Sequence, residues 1–198
     1  MAEQVAAVVL AGGLARRMGG NDKGLVQLGQ RSMIEYAIDC LSAQVEQVVI
    51  NANRNLEKYA QFGLPLVSDE SNDFAGPLAG VAAAMTAVNS QWLVSAPCDC
   101  PLLPSDLVER MLAKAQQENA LVAVAHDGER PQHVVLLVHT SLYQSINEFL
   151  ARGDRKIVLW YRQHPYVEVD FSDCASAFVN VNTPEQCAEV EALLKPNS

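Results

Sequence analysis

Short apolar runs alternate with amphipathic stretches over the first two thirds of the chain. Val5–Leu10, Val45–Asn51, Leu64–Val67, Gln91–Ala96 and Leu121–Ala125 read as strands, several of them apolar on both faces. Helical spacing of apolar residues runs over Ser32–Ala43, Pro77–Asn89 and Ser105–Glu118. This alternation predicts βαβ units, and so an α/β fold with a doubly wound, mostly parallel sheet and helices on both faces. Val134–Val138 and Tyr166–Val169 lack equally clear helices around them, which predicts an antiparallel edge there. Near the end, Thr183 suits an N-cap, Pro184 the first helical position, and Gln186 the partner position of a capping box. Glu185 in that first turn also suits the helix dipole. Val179–Asn182 then reads as a strand or strand end leading into a last helix.

Composition changes this picture little. The 198 residues, 49% hydrophobic and 19% charged, predict one domain spanning 1–198 with ample chain for a core. With 14 basic and 23 acidic residues the net charge is −9, which argues against a nucleic-acid surface. Positive charge is local, at Arg16, Arg17 and Lys23 and again at Arg152, Arg155 and Lys156, which suits a small anionic ligand. Five cysteines without framework spacing predict a reducing compartment. No signal-like start and no membrane-length apolar run are visible, so a cytoplasmic protein away from membranes is expected.

Chemistry concentrates where strands should end. After Val5–Leu10 comes Leu10-Ala11-Gly12-Gly13-Leu14-Ala15-Arg16-Arg17-Met18-Gly19-Gly20-Asn21-Asp22-Lys23. Four glycines there let backbone N–H groups approach a ligand, and the flanking cations make an anion cradle suited to a polyphosphate. The spacing is neither that of a Walker A loop nor G-x-G-x-x-G. Arg17 offers a planar fork for phosphate and Lys23 a movable charge; Arg16 reads equally as a solvent-facing residue. Asp99, between Pro97 and Pro101 after an apolar strand, is placed to hold Mg²⁺, a hard cation that favours a carboxylate plus phosphate oxygens. Cys98 and Cys100 do not match structural zinc spacing and read as small buried hydrophobes. Gly76-Pro77 reads equally as a plain helix start and as an anion-binding helix N-terminus. Asn180 and Asn182 share one face of an extended segment, with Val179 and Val181 on the other. His126, His133, His139 and His164 show no triad or metal spacing.

The first loop resembles the signature of nucleotidyltransferases that join a nucleotide to a phosphorylated acceptor. Val67-Ser68-Asp69 with Gly76-Pro77-Leu78-Ala79-Gly80, Pro97-Cys98-Asp99-Cys100-Pro101, and Phe178-Val179-Asn180-Val181-Asn182-Thr183-Pro184 follow in the order of one branch. Together with Asp127-Gly128-Glu129-Arg130, they make the chain similar to the molybdenum cofactor guanylyltransferases over nearly its whole length. That resemblance implies a Rossmann-like fold and transfer of GMP from GTP to the terminal phosphate of molybdopterin, with release of pyrophosphate. It implies Lys23, Arg17 and Asp99 as catalytic residues, with Asp99 the magnesium ligand. Leu10, Ala11, Gly12, Gly13, Lys23, Asn51, Asp69 and Asp99 would bind the nucleotide. Gly76, Arg155, Asn180 and Asn182 would face the acceptor, with Lys156 a weaker candidate. GTP and molybdopterin, or the molybdenum cofactor, would be the substrates of a monomer, with cofactor-delivery or acceptor proteins as further partners. A cytidylyl- or sugar-phosphate nucleotidyltransferase, or a non-catalytic nucleotide-binding module, would share the first loop. The retained Lys23 and Asp99 argue against the binding module, which needs no metal-held α-phosphate.

Overall fold

The protein, seen in a computed structural model, is described for residues 4–11, 22–69 and 76–194. Seven strands form the main sheet: β1 (Val5–Leu10), β4 (Gln47–Asn51), β5 (Leu66–Val67), β6 (Trp92–Pro97), β7 (Val122–His126), β8 (Pro131–His139) and β9 (Tyr166–Asp170). Their order is β5-β4-β1-β6-β8-β7-β9, and a small hairpin, β2 (Gln27–Leu28) with β3 (Arg31–Ser32), stands apart. Strand β1 alternates its partners: Ala7 and Val9 pack into one core, Ala6 and Val8 into another. The first core takes side chains from α1 (Met33–Ser42) and α4 (Leu107–Gln117). The second takes them from α3 (Pro77–Ala87), α5 (Tyr143–Ala151) and α6 (Ile157–Tyr161). Both faces of the sheet are therefore covered, which is why its central strands are apolar on both faces apart from Ser95, whose hydroxyl donates to Val134 O at 2.7 Å.

Helix α3 is the tightest element on the sheet. Every residue from Leu78 to Met85 is buried, because small side chains let the helix sink between neighbours without a polar face. Helix α1 starts at a capping box, with Ser32 N–H donating to Glu35 Oε2 at 2.6 Å.

Three expectations need correction. Strand β8 is antiparallel, but it lies inside the sheet between β6 and β7; the edge strand β9 is parallel to β7. The tight connection from β7 to β8 forces the antiparallel insertion, and α5 and α6, not foreseen from the pattern, provide the crossover to β9. Ile146 and Phe149 of α5 and Ile157 and Trp160 of α6 are the buried residues that require these short helices. Second, Val179–Asn182 carries no strand. The backbone bond from Val181 N–H to Asp99 O at 3.0 Å ties it to the chain beyond β6. Third, Val179 is exposed while Val181 is fully buried, so the two valines do not share an environment.

The last helix, α7 (Pro184–Leu194), begins as expected, with Gln186 N–H donating to Thr183 Oγ1 at 3.3 Å. The return bond is shifted by one residue: Gln186 Oε1 accepts from Asn182 N–H at 2.8 Å. Its Cys187 and Val190 pack with Leu28, Met33 and Val181 in a third small core beside the hairpin.

Candidate active site

The chain reverses its direction of winding at β1. From β1 it moves outward to β4 and β5, then returns to place β6 on the other flank. Open α/β sheets bind ligands beyond the carboxyl ends of their strands at such a point. Registry sets Leu10 opposite both Asn51 and Pro97, so three strand ends form one row. Backbone bonds carry this row outward: Ala11 N–H donates to Asn51 O at 2.8 Å and Cys98 N–H to Leu10 O at 3.1 Å.

Two cavities open above that row. The first, about 290 Å³, is lined by Leu10, Ala11, Asn51, Asp69 and Gly76 among others. The second, about 520 Å³, is lined by Arg130, Gln132, His133, Asn180 and Asn182 among others. Lys23, Pro97, Asp99 and Val134 line both, so the cavities share an edge.

At that edge Lys23 Nζ donates to Asp99 Oδ2 at 3.0 Å and to Asn182 Oδ1. Residues 76 and 159 positions away in sequence thus meet at one ammonium. Lys23 reaches it from a short 3-10 turn, Lys23–Leu25. Gly24 allows the turn to lie against Tyr59 and the residue just after β6: a Cβ there would be 2.8 Å from Tyr59 Oη and 3.3 Å from Cys98 Sγ. Two oxygens already arranged around a cation are a suitable donor set for a hard metal ion that draws its remaining ligands from phosphate and water. Among the described residues no cluster of three or more His, Cys, Asp or Glu could hold a metal by itself.

Asn51 and Asp69 meet in the first cavity. Asn51 Nδ2 donates to Asp69 Oδ1 at 3.0 Å, and Asn53 Nδ2 to Asp69 Oδ2 at 2.8 Å. Asp69 N–H donates back to Asn53 Oδ1 at 2.8 Å, so the carboxylate is fixed from two sides. Helix α3 closes over this arrangement through Gly80, where a Cβ would sit 2.3 Å from Asn51 Oδ1 and 2.7 Å from Leu10 Cδ2.

Buried Asp22, missed in the sequence reading, anchors the Lys23 turn. Its carboxylate accepts from Tyr59 Oη at 2.6 Å and Asn55 Nδ2 at 3.2 Å, and Arg54 Nε lies 3.4 Å away. Burial chiefly, with Cys98 and Asp22 adding, pushes the Tyr59 phenol up, so it stays a donor. Asn53 was also missed; its two-residue spacing from Asn51 at a strand end was the available signal.

The remaining assignments divide. Gly76 lines the first cavity and not the second, at φ +82° and ψ −177°, a conformation essentially restricted to glycine. Arg155 lines neither cavity; its guanidinium donates to the carbonyls of Leu150 at 2.9 Å and Asp154 at 2.8 Å. Lys156 likewise lines neither. Gly12, Gly13, Arg16 and Arg17 lie outside the described residues. Cys98 and Cys100 are buried free thiols, pushed up chiefly by burial and next by Asp99, and so stay protonated. Cys100 Sγ donates to Asn180 Oδ1 at 3.1 Å, which orients that amide beside the second cavity.

Residues 7–167 match the model of the MobA-like NTP transferase domain family. A molybdenum cofactor guanylyltransferase from Shewanella pealeana is 56% identical over 94% of this chain and 93% of its own. The protein of that name from Shewanella sediminis is 54% identical over 98% and 100%. Among solved structures, molybdopterin-guanine dinucleotide biosynthesis protein A from Archaeoglobus fulgidus superposes with a TM-score of 0.79 at 20% identity, covering 96% and 98% of the two chains. A 4-diphosphocytidyl-2C-methyl-D-erythritol synthase from Anaerococcus prevotii gives 0.75 at 11% identity, covering 97% of this chain and 96% of that one. Proteins named for different nucleotides thus share this sheet, and the fold alone does not select the base. Sequence identity makes that selection: the chain belongs to the molybdenum cofactor guanylyltransferases, nucleotidyltransferases of the MobA-like family.

Proposed function

We propose that this enzyme transfers GMP from GTP to the terminal phosphate of molybdopterin, with GTP in the first cavity and the pterin in the second. The observation that carries the assignment is the shared edge: Lys23 and Asp99 line both cavities, where a phosphorus passing between two substrates has to lie. A phosphate oxygen of the acceptor attacks the α-phosphorus of GTP, the bond to the α,β-bridging oxygen breaks, and pyrophosphate leaves with that electron pair. No covalent enzyme intermediate is needed, because alignment and charge neutralisation supply the catalysis.

Asp99, with Asn182 beside it, would hold the divalent cation that nucleotidyltransferases generally use, in this reading Mg²⁺. The ion, when bound, supplies Lewis-acid stabilisation of charge on the transferring phosphate. Lys23 would leave Asp99 for the phosphates, where a fixed cation favours departing pyrophosphate. Arg17, Gly12 and Gly13 join it on the sequence pattern alone. Asp69 would accept from the two adjacent donors of guanine, N1–H and the 2-amino group. Gly76 belongs in this reading with the nucleotide, and Asn180 and Asn182 with the acceptor.

The test is pyrophosphate release with Mg²⁺ and each of the four nucleoside triphosphates, with and without molybdopterin. Release with GTP and acceptor together is the expected result. Release with CTP instead would make it a cytidylyltransferase, and release with none would leave a binding module.

A further inference from the structure

Asp22 and Tyr59 line neither cavity and touch no substrate in the reaction above, yet they are built around its central cation. The Asp22 side chain is 1% exposed and Tyr59 is fully buried, and the phenol donates to Asp22 Oδ1 at 2.6 Å. Asp22 Oδ2 accepts from Asn55 Nδ2 at 3.2 Å, with Arg54 Nε 3.4 Å away. A buried carboxylate is tolerated only where donors surround it, so these contacts also fix where it sits.

Tyr59 closes on the other side of Lys23 as well. Its Oη stands 2.8 Å from where a Cβ on Gly24 would lie, and Cys98 Sγ, next to Asp99, stands 3.3 Å from the same point. Within the turn, Leu25 N–H donates to Asp22 O and Val26 N–H to Lys23 O, both at 3.1 Å. The residues before and after Lys23 are thus held by one phenol, while the lysine side chain is tied through its ammonium to Asp99 and Asn182.

A firm root matters for lysine, which carries a compact charge on a flexible four-carbon stem. In the transfer reading above, Lys23 leaves Asp99 for the phosphates of GTP, and a stem swinging from a fixed backbone arrives at a defined place. We propose that Asp22 and Tyr59 are positioning residues for Lys23, holding its backbone so that the ammonium passes from Asp99 to the triphosphate without a shift of the turn. The proposal rests on that reading and adds the group that aims its cation. Tyr59 ends the short helix α2 (Leu56–Tyr59), which follows Asn51 and Asn53, the two residues bonded to Asp69. A change at Tyr59 therefore has a second route to the nucleotide, through the end of β4, and the two routes need separating.

A double-mutant cycle in the full chain separates them. It compares the parent, Tyr59→Phe, Lys23→Ala and the double variant, with Asp22→Asn taken through the same cycle. The readout is single-turnover pyrophosphate release with Mg²⁺, saturating molybdopterin and enzyme in excess over GTP, so that slow variants are still measured. Tyr59→Phe should slow release about three- to tenfold, the loss of one hydrogen bond. Asp22→Asn should slow it about ten- to hundredfold, as a misplaced charge does. In the Lys23→Ala background each should add less than about twofold, because a positioning residue then has nothing left to position. A loss of equal size in both backgrounds would show a route independent of the lysine and overturn the proposal. Unchanged release in both Tyr59→Phe and Asp22→Asn, beside an active parent, would overturn it too. If Asp22→Asn lacks a cooperative thermal transition, the Tyr59→Phe cycle decides alone, since phenylalanine keeps the buried ring. A parent that releases no pyrophosphate with GTP and molybdopterin overturns the transfer reading, and this inference with it.

Discussion

The two cavities are built by different means. The first rests on strand ends locked in register, Leu10 against Asn51 and Pro97, with a buried helix packed over them. Its polar groups bond mainly to one another, Asn51 and Asn53 holding Asp69 between them. The second lies between a turn and an unpaired segment, 179–182, tied to the sheet side by the Val181–Asp99 backbone bond and the Cys100–Asn180 contact. A ladder-held pocket is stiff before ligand arrives, which favours discrimination between similar bases. A loop-held pocket adapts more readily, and its selectivity has to come from a few well-placed side chains.

The largest effect is expected where the two cavities meet. Asp99→Asn keeps the shape but removes the charge paired to Lys23 and available to a metal ion. Turnover at saturating substrates should fall about a thousandfold or more, while the thermal transition stays cooperative. Near-normal kcat at saturating Mg²⁺ would remove Asp99 from the metal and merge the shared edge into one of its neighbours.

Next comes a change confined to the stiff side. Asp69→Asn sets an amide donor among Asn51, Asn53 and the guanine edge, so GTP should lose about 2–3 kcal/mol of binding. ITP lacks the 2-amino group and should lose clearly less, and the difference cancels any rearrangement common to both. Equal losses would return Asp69 to holding the ribose and leave the base to backbone groups at Leu10 and Ala11. Gly80→Ala probes the same side by overpacking. With a Cβ 2.3 Å from Asn51 Oδ1, it should cost about 1–3 kcal/mol in stability and weaken GTP more than acceptor. A variant as stable as the parent would mean that α3 can lift off Asn51 freely.

On the loop-held side, Asn182→Ala removes the carbonyl oxygen that accepts from Lys23 and the amide that donates to Asn180 O at 3.2 Å. Acceptor binding should weaken by about 1–3 kcal/mol, seen as a raised KM, with GTP affinity nearly kept. Collapse of GTP affinity with acceptor KM intact would exchange the two cavities' occupants.

The smallest effect is a pH dependence of stability on the acceptor side. Burial first, and then nearby Arg162, lowers the pKa of His133 against the raising effect of Glu168; burial alone lowers that of His164. A folded-state pKa below that of the unfolded chain means the unfolded chain takes up protons first. The stabilisation is therefore complete above the ordinary histidine range, near 6.5, and is lost as pH falls below it. Melting temperature should drop slightly from pH 7 to 5.5, and less in His133→Asn; an unchanged slope in that variant would clear His133 of the effect.

Much of the stiff half was legible in the chain. Apolar strands with both faces covered leave a period that survives without tertiary context, and β1 falls on Val5–Leu10 as read. Strand-end polar residues such as Asn51, Asp69 and Asp99 follow from that reading. The loop-held half was harder. Helices α5 and α6 are short, nine and five residues, and pack on α3 and on β8 respectively, so a window of helical length takes in little of either. Arg155 reads as a ligand residue by charge, and the structure adds that its guanidinium donates to two neighbouring carbonyls.

The sequence by itself determined the α/β class, the polar residues at its strand ends, the cap of the last helix and, through its motifs, the family. It could do so because these depend on local periodicity and on residue types at fixed spacing. Only the tertiary structure decided that β8 enters the sheet interior, that Asp22 anchors Lys23, and that one ammonium joins Asp99 to Asn182. Those facts depend on which distant segments close together, and local spacing carries no record of a contact made across 159 positions.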